Sequence, residues 1–143
     1  MARDTRALVD ELHNAYRDGD GERVAALIHD DIDWCIYGPD HVFTFEGARR
    51  GKAEVMEVLA SIGRQFELRR YEPETVIVQG DRAAALIRTS FVQRSTGRTM
   101  SMHFATFMRF ADGRVIEFKE FSDTFDVVQQ ALGASLHVPA IAV

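Results

Sequence analysis

The sequence predicts an α+β domain in which helices come first and a curved antiparallel sheet follows. Apolar residues recur at helical spacing in the first half of the chain, whereas apolar and polar residues alternate in four runs of the second half. The Asp112-Gly113 pair lies between two alternating runs, and this pair favours a hairpin turn because both turn residues need a positive φ. The chain has 143 residues, so we expect one domain, with a core over about 5–132 and an apolar tail over 133–143.

Helical spacing marks four segments of the chain. Leu8, Leu12 and Tyr16 lie four residues apart and give the first helix one apolar face. Asp20, directly after a glycine, is suited to cap a short second helix, and Asp123 or Ser122 is suited to cap the last one. The predicted helices cover residues 5–18, a short segment after Asp20, 52–66 and 124–132.

The remaining segments are rich in β-forming residues. Residues 32–37 predict a first strand, and Phe43 and Phe45 alternate in a short strand or an extended loop. Four further strands are predicted over residues 68–78, 82–94, 98–110 and 114–123. Short turns separate these four, so they form an antiparallel meander, with one face under the helices and the other facing water or a partner.

Composition excludes several kinds of partner and cofactor. The net charge of -5 at pH 7 argues against a nucleic-acid surface. A single cysteine, Cys35, allows neither an intrachain disulfide nor a thiolate metal cage. The first residues carry charges without an apolar run, and no stretch of about 18 apolar residues occurs, so we expect a cytoplasmic protein without a signal peptide or membrane span. No glycine-rich nucleotide loop and no metal-ligand spacing is present, so no cofactor is expected.

Glu120 is the strongest candidate for a functional residue. Strict alternation over residues 115–123 places it on one strand face with Ile116, Phe118 and Ser122. A carboxylate on such a face is either compensated or functional, since an unpaired buried charge is expensive. Glu120 is therefore a candidate general acid or base with a raised pKa, and the alternative is a hydrogen bond or an ion pair with an arginine.

Four motifs, taken in order, resemble the SnoaL-like and ketosteroid-isomerase-like proteins of the nuclear-transport-factor-2-like superfamily. They are a Gly-Asp turn after the amphipathic first helix, IHDDIDW at 28–34, FEG at 45–47 before Gly51-Lys52, and FMRFADGRV at 107–115 running on to EFSD at 120–123. The resemblance covers about residues 5–132. It implies a cone-shaped curved sheet, wrapped around three helices, with a deep and mostly apolar cavity.

The same resemblance narrows the range of reactions that this chain is expected to catalyse. The family hosts isomerases, dehydratases, cyclases, epoxide hydrolases and binding modules, so fold alone does not settle function. Ile36 stands where ketosteroid isomerases have an Asp base, and Leu12 and Thr106 stand at their oxyanion-hole positions, so this chain is not expected to be a true ketosteroid isomerase. The Asp-Arg-Asp pattern of limonene epoxide hydrolases is also missing. Some SnoaL-like proteins use an acid on the last strand, and Glu120 falls near that position.

His103 is a candidate proton-transfer partner for Glu120, although strict alternation places it on the outer face and a structural role is the alternative. A β-bulge would turn it inward. The side chains expected to line the cavity beside Glu120 are Tyr16, Trp34, Val55, Leu59, Phe104 and Phe118.

Two functions remain open at this point. One is a cofactor-free acid–base enzyme, of isomerase, dehydratase or hydrolase type, acting on a small and largely apolar substrate that carries a polar group. The other is a non-catalytic ligand-binding or assembly module on the same fold. A second proton-transfer group within reach of Glu120 favours the enzyme, whereas a salt bridge that seals Glu120 favours the module.

Apolar residues on the outer sheet face and in the tail predict further contacts. Val115 and Phe121 are expected on the face opposite Glu120, beside Phe107 and His103, and such a patch favours a homodimer through this face. The tail over 133–143 has no charged residue, so we expect it to close the cavity mouth or to lie on the partner subunit.

Overall fold

The computed structural model describes residues 3–142. Its helices are α1 (Thr5–Arg17), α2 (Gly21–Ala26), α3 (Lys52–Gln65) and α4 (Thr124–Leu132). Its strands are β1 (Ile28–Ile36), β2 (Gly47–Arg50), β3 (Phe66–Gln79), β4 (Arg82–Gln93), β5 (Thr99–Ala111) and β6 (Arg114–Phe121). The predicted α+β class, with helices first, a curved sheet and a short last helix, is confirmed.

The six strands form one sheet in the order β2-β1-β6-β5-β4-β3. Strands β3 to β6 form the predicted antiparallel meander. Strand β1 pairs with β6 in parallel, a pairing that the predicted antiparallel meander of the last four strands did not include. A long connection through α3 and four strands separates β1 from β6, so no tight hairpin dictates their relative direction.

Two boundaries in the first half also differ from the prediction. Strand β1 begins at Ile28, whereas the β-forming composition pointed only to residues 32–37. Phe43 and Phe45 lie in turns, and the short strand β2 follows them as Gly47–Arg50. The segment 37–46 is therefore a loop, and it lies between two strands that pair with each other.

Aspartates are the N-cap residues of three helices, α1, α2 and α4. The Asp20 carboxylate accepts from the amide of Arg23 at α2, and the Asp123 carboxylate accepts from the amide of Asp126 at α4. Both caps were predicted from the sequence. The Asp123 carboxylate is therefore engaged in capping, which separates its role from that of Glu120 three residues earlier.

The core consists of two clusters of buried apolar side chains. The larger cluster joins α1, α2, α3 and β1 to the strands of the meander, and it includes Leu27 and Val55. The smaller cluster gathers aromatic residues and Met100 around Val127 of α4. The cavity described below takes side chains from both clusters.

A β-bulge changes the facing of residues along β6. Arg109 pairs with Glu117, but Phe110 pairs with Val115, so Ile116 is an extra residue without a partner on β5. Val115 consequently faces inward and is 1% exposed. The prediction that Val115 lies on the outer face is therefore wrong.

Aromatic residues occupy the outer face of the sheet. Phe107 is 51% exposed and Phe121 is 41% exposed, as the alternation predicted. The ring of Tyr37 stacks on Phe121 with a centroid separation of 4.3 Å. This exposed aromatic cluster is the patch from which the homodimer was predicted.

The tail beyond α4 has no regular secondary structure as far as Ala142. Val138 is 60% exposed and Ile141 is 90% exposed, and none of residues 133–142 lines the cavity. The tail therefore does not close the cavity mouth in this structure, and Val143 lies outside the described residues. No helix in the described part of the chain is long and apolar enough to cross a membrane.

Candidate functional site

One cavity of about 110 Å³ lies between the sheet and the helices. Most of its lining is aromatic or aliphatic, and the volume suits a small organic molecule rather than a single water. Its polar lining residues, apart from the Trp34 indole, are His13, Tyr16, Glu46, Tyr71, Glu120 and Ser122. Over residues 3–142, no lysine or arginine lines the cavity.

Glu120 lies on β6 at the centre of the sheet. Its backbone pairs with Ile36 of β1 on one side and with Thr106 of β5 on the other. Burial raises the pKa of the Glu120 carboxyl to about 8, and the nearby charge of Glu46 adds to the rise. No cation among the described residues opposes this shift, so Glu120 is not sealed in a salt bridge.

Glu46 supplies a second carboxyl group to the same cavity. It lies in the loop between β1 and β2, is 5% exposed, and its Oε2 has no hydrogen-bond partner within residues 3–142. Burial raises the pKa of Glu46 to about 7, with a further contribution from Asp40. Because the charge of Glu46 also raises the pKa of Glu120, the two carboxyl groups form an electrostatically coupled pair.

Hydrogen bonds to backbone groups hold the loop that carries Glu46. The Arg49 guanidinium donates to the carbonyls of Glu46, Ala48 and Thr44, at 3.2, 2.9 and 2.7 Å. The Glu46 amide donates to the Phe43 carbonyl at 2.9 Å. These bonds fix the backbone at Glu46 and hence the direction in which its side chain leaves the loop.

Two tyrosines and a histidine complete the polar part of the cavity. The rings of Tyr16 on α1 and Tyr71 on β3 lie 5.0 Å apart, and the His13 ring lies 5.8 Å from Tyr71. Burial raises the pKa of both phenols, and the charge of Glu120 raises both further. Burial lowers the pKa of His13 to about 4. At pH 7 the cavity therefore presents two protonated phenols and a neutral imidazole.

Two buried donors near Glu120 have no partner of their own. The indole Nε1 of Trp34 and the hydroxyl of Thr106 make no hydrogen bond within residues 3–142. Trp34 stacks on Phe118 with a centroid separation of 4.2 Å, and Thr106 is paired with Glu120 across the strands. A buried polar group without a partner is costly and rare. Of these two groups only the Trp34 indole lines the cavity, where a polar ligand atom would complete it.

The structure brings together most of the residues predicted for the cavity. The predicted side chains that line it are Glu120, Tyr16, Trp34, Leu59, Phe104 and Phe118. Val55 does not line it, because this side of α3 packs into the core and leaves the side chain 0% exposed.

His103 lies on the outer face of the sheet, away from Glu120. Its Nε2 is 3.5 Å from Glu74 Oε1, and its side chain is about half exposed. The register between β4 and β5 runs without interruption past His103, so no bulge turns it inward. The interpretation of His103 as the proton-transfer partner is therefore corrected by the geometry.

Sequence reasoning missed Glu46, Tyr71 and His13 as cavity residues. Glu46 belongs to a loop, where no periodicity tells which way a side chain points. Tyr71 and His13 lie on regular elements, and their spacing could have placed them. Tyr71 falls in the predicted strand 68–78, and His13 adjoins Leu12 on the apolar side of α1.

The fold agrees with comparisons to known proteins. The chain belongs to the SnoaL-like domain family, whose model matches residues 9–118. A proposed isomerase from Rhodopseudomonas palustris superposes with a TM-score of 0.82 at 40% identity, covering 93% of this chain and 99% of that one.

Two more distant structures show the same fold. A nuclear-transport-factor-2-like protein of unknown function from Burkholderia pseudomallei superposes with a TM-score of 0.80 at 23% identity, over 88% of this chain and 95% of that one. An LEH-like epoxide hydrolase from M. tuberculosis superposes with a TM-score of 0.72 at 15% identity, over 90% and 89%. No curated protein sequence matches the chain. The superfamily inferred from the sequence motifs is confirmed.

Among the described residues, no three His, Cys, Asp or Glu side chains are grouped so as to hold a metal ion. The titratable groups of the cavity are instead two acids, two phenols and one imidazole. These groups are suited to hydrogen bonding and proton transfer.

Proposed function

We propose that the protein is a cofactor-free acid–base enzyme that shifts a proton within a small, neutral, largely apolar carbonyl compound. The observation that carries this proposal is the pair of carboxyl groups in one apolar cavity, with pKa values of about 7 for Glu46 and about 8 for Glu120. General acids and bases work best when their pKa lies near the operating pH. The 40% identity to a proposed isomerase supports the same reaction class.

Electrostatic coupling between the two acids makes one of them the ionised base and keeps the other protonated. As pH rises through neutrality, one carboxyl loses its proton first, and repulsion from that charge helps the other to keep its own. The ionised carboxylate removes a proton from the carbon next to the substrate carbonyl, and the electron pair moves to the carbonyl oxygen. The substrate therefore carries a carbon–carbon double bond beside that carbon, and the dienolate takes the proton back at the far end of this double bond. The carbonyl re-forms and the double bond moves into conjugation with it, so no co-reactant is consumed.

The donors in the cavity stabilise the oxygen on which negative charge develops. The phenols of Tyr16 and Tyr71 keep their protons at neutral pH because their pKa values are raised. The Trp34 indole is a further donor, without a hydrogen-bond partner among residues 3–142. Hydrogen bonds to a developing oxyanion in a water-poor site are a large contribution to catalysis.

The charges of the cavity select a neutral substrate. No lysine or arginine among residues 3–142 lines it, and its two acids raise each other's cost of ionisation. An anionic substrate would meet this negative potential without a compensating cation. The aromatic walls instead favour an apolar body with a single polar group.

Hydrogen–deuterium exchange tests the proposal without knowledge of the natural substrate. A panel of small cyclic and aryl ketones is incubated with the protein in D₂O, and loss of the α-proton is followed by NMR. We expect exchange above the buffer rate, with a bell-shaped pH dependence around pH 7 to 8. Glu120→Gln and Glu46→Gln should each slow it by roughly 10²–10⁴-fold.

Glu117→Gln is the matched control, since Glu117 lies on the same strand and pairs with Arg109 and Lys119. It should leave the exchange rate unchanged. Ketones that quench the fluorescence of Trp34, the only tryptophan, without any catalysed exchange would overturn the proposal. That result would favour the non-catalytic binding module.

A further inference from the structure

We propose that Gly38 is a positioning residue, whose missing side chain leaves the space in which the Glu46 carboxyl lies. This inference deepens the proposed function and rests on it for the catalytic role of Glu46. A Cβ added at Gly38 would lie 2.7 Å from Glu46 Oε1, and closer still to Oε2 and the carboxyl carbon. Carbon–oxygen contacts of this length are far inside the van der Waals optimum. The carboxyl of Glu46 and a side chain at position 38 therefore exclude each other.

The need for glycine at position 38 is steric rather than conformational. Gly38 is not among the glycines with positive φ, so an alanine fits its backbone without strain. The three heavy atoms nearest to a methyl group there all belong to the end of the Glu46 side chain. Gly38→Ala is therefore expected to change the position of the Glu46 carboxyl group.

The loop prevents Glu46 from adapting through its backbone. The Arg49 guanidinium holds the Glu46 carbonyl, and the Glu46 amide is bonded to Phe43. Gly47, the next residue, has a φ of 96° that a side chain would strain. With the backbone held on both sides, a displaced carboxyl has to rotate away from its present place in the cavity wall.

Displacing the Glu46 carboxyl also changes the pKa of Glu120 on β6. The charged and titratable groups around Glu46 are Asp40 on its own loop, the Arg49 guanidinium on its carbonyl, Glu120 on β6, and the cavity groups Tyr16, Tyr71 and His13. Glu46 raises the pKa of Glu120 through its charge. Moving that charge away lowers the pKa of Glu120 and separates the two acids of the pair.

The test compares alanine substitutions at two glycines with different surroundings, Gly38 in the loop after β1 and Gly63 in α3. Gly63 has no atom within 4 Å of an added Cβ and no positive φ, so Gly63→Ala is the matched control. Carboxyl ¹³C NMR of glutamate-labelled protein follows the titration of Glu120. We expect Gly38→Ala and Glu46→Gln to lower its midpoint, and Gly63→Ala to leave it unchanged. A midpoint in Gly38→Ala equal to that of the parent would overturn the inference.

A shorter acid provides a rescue. Glu46→Asp withdraws the carboxyl from Gly38 by one methylene, so the double variant Gly38→Ala/Glu46→Asp should recover part of the ketone exchange that Gly38→Ala loses. We expect a loss of at least tenfold in the single variant. Equal losses in the single and double variants would contradict a steric cause.

Stability measurements keep the inference testable if Gly38→Ala folds poorly. In a Glu46→Ala background there is no carboxyl to displace, so adding Gly38→Ala should not lower the urea midpoint. An equal drop in both backgrounds would overturn the inference. A shifted Glu120 titration in Gly38→Ala, together with no ketone exchange in the parent, would leave the positioning role standing and refute the proposed function alone.

Discussion

Replacing Glu120 with Gln removes one buried titrating group and keeps the shape of the side chain. In the folded protein the pKa of Glu120 is about 8, whereas its ordinary value is 4.5. Between these values the folded protein holds the proton and the unfolded chain has lost it. Unfolding therefore releases a proton, and this group lowers stability progressively as pH rises from about 4.5 to 8.

The size of the effect follows from the pKa shift. One pH unit corresponds to about 1.4 kcal/mol, so the loss reaches roughly 3 kcal/mol at pH 7 and roughly 5 kcal/mol above pH 8. These are upper values, because Glu120 is partly accessible. Glu120→Gln has no titrating carboxyl at this position, so it does not lose stability in this way as the pH rises. We expect it to match the parent within about 1 kcal/mol at pH 5 and to be the more stable protein by up to about 3 kcal/mol at pH 7.

Urea unfolding at pH 5, 6, 7 and 8, followed by the fluorescence of Trp34, measures this difference. Glu117→Gln is the control of opposite sign. Burial acts to raise the pKa of Glu117, but hydrogen bonds from Lys119 and Arg109 lower it overall. That control should be slightly less stable than the parent, with no growth of the difference toward pH 8.

A difference that stays constant from pH 5 to 8 would refute the assignment of a raised pKa to Glu120. A loss of roughly 3–5 kcal/mol in Glu120→Gln would indicate a broken buried ion pair. Either result would retire Glu120 as the catalytic candidate.

Two further predictions concern assembly and His13. We propose a homodimer through the exposed aromatic cluster, so sedimentation at micromolar concentration should show twice 16.1 kDa, and Phe107→Glu should give the monomer; a parent that is only monomeric would refute this. His13 should titrate by NMR near pH 4 rather than 6.5. Because the unfolded chain takes up this proton first, His13 lowers stability on acidification between those values, and His13→Gln should weaken that loss. A midpoint near 6.5 would contradict the burial argument.

Periodicity accounts for the parts of the fold that the sequence predicted. Regular alternation marks the meander strands, and the Asp caps of α2 and α4 follow from the strong preference of that residue. Glu120 was found because it interrupts an apolar strand face. At each of these positions the local sequence preference and the tertiary structure favour the same residue type.

Departures from periodicity account for what the sequence did not predict. Ile116 forms a bulge that no residue type announces, so Val115 was assigned to the wrong face. Glu46 leaves a loop in a direction set by hydrogen bonds of Arg49, which lies three residues away. The parallel pairing of β1 with β6 depends on the whole chain, because the strands between them fix where β6 arrives.

This pairing also sets the order in which the protein can form during synthesis. Strand β1 emerges from the ribosome early, but its parallel neighbour β6 is the last strand of the sheet. Until β6 arrives, the nascent chain holds a sheet fragment in which one edge of β1 is unpaired, with Trp34 on β1 and Glu46 in the loop that follows it. Such fragments are slow to fold and prone to aggregation. We therefore expect β1 to stay without its parallel partner, and the two acids to stay apart, until β6 has been synthesised.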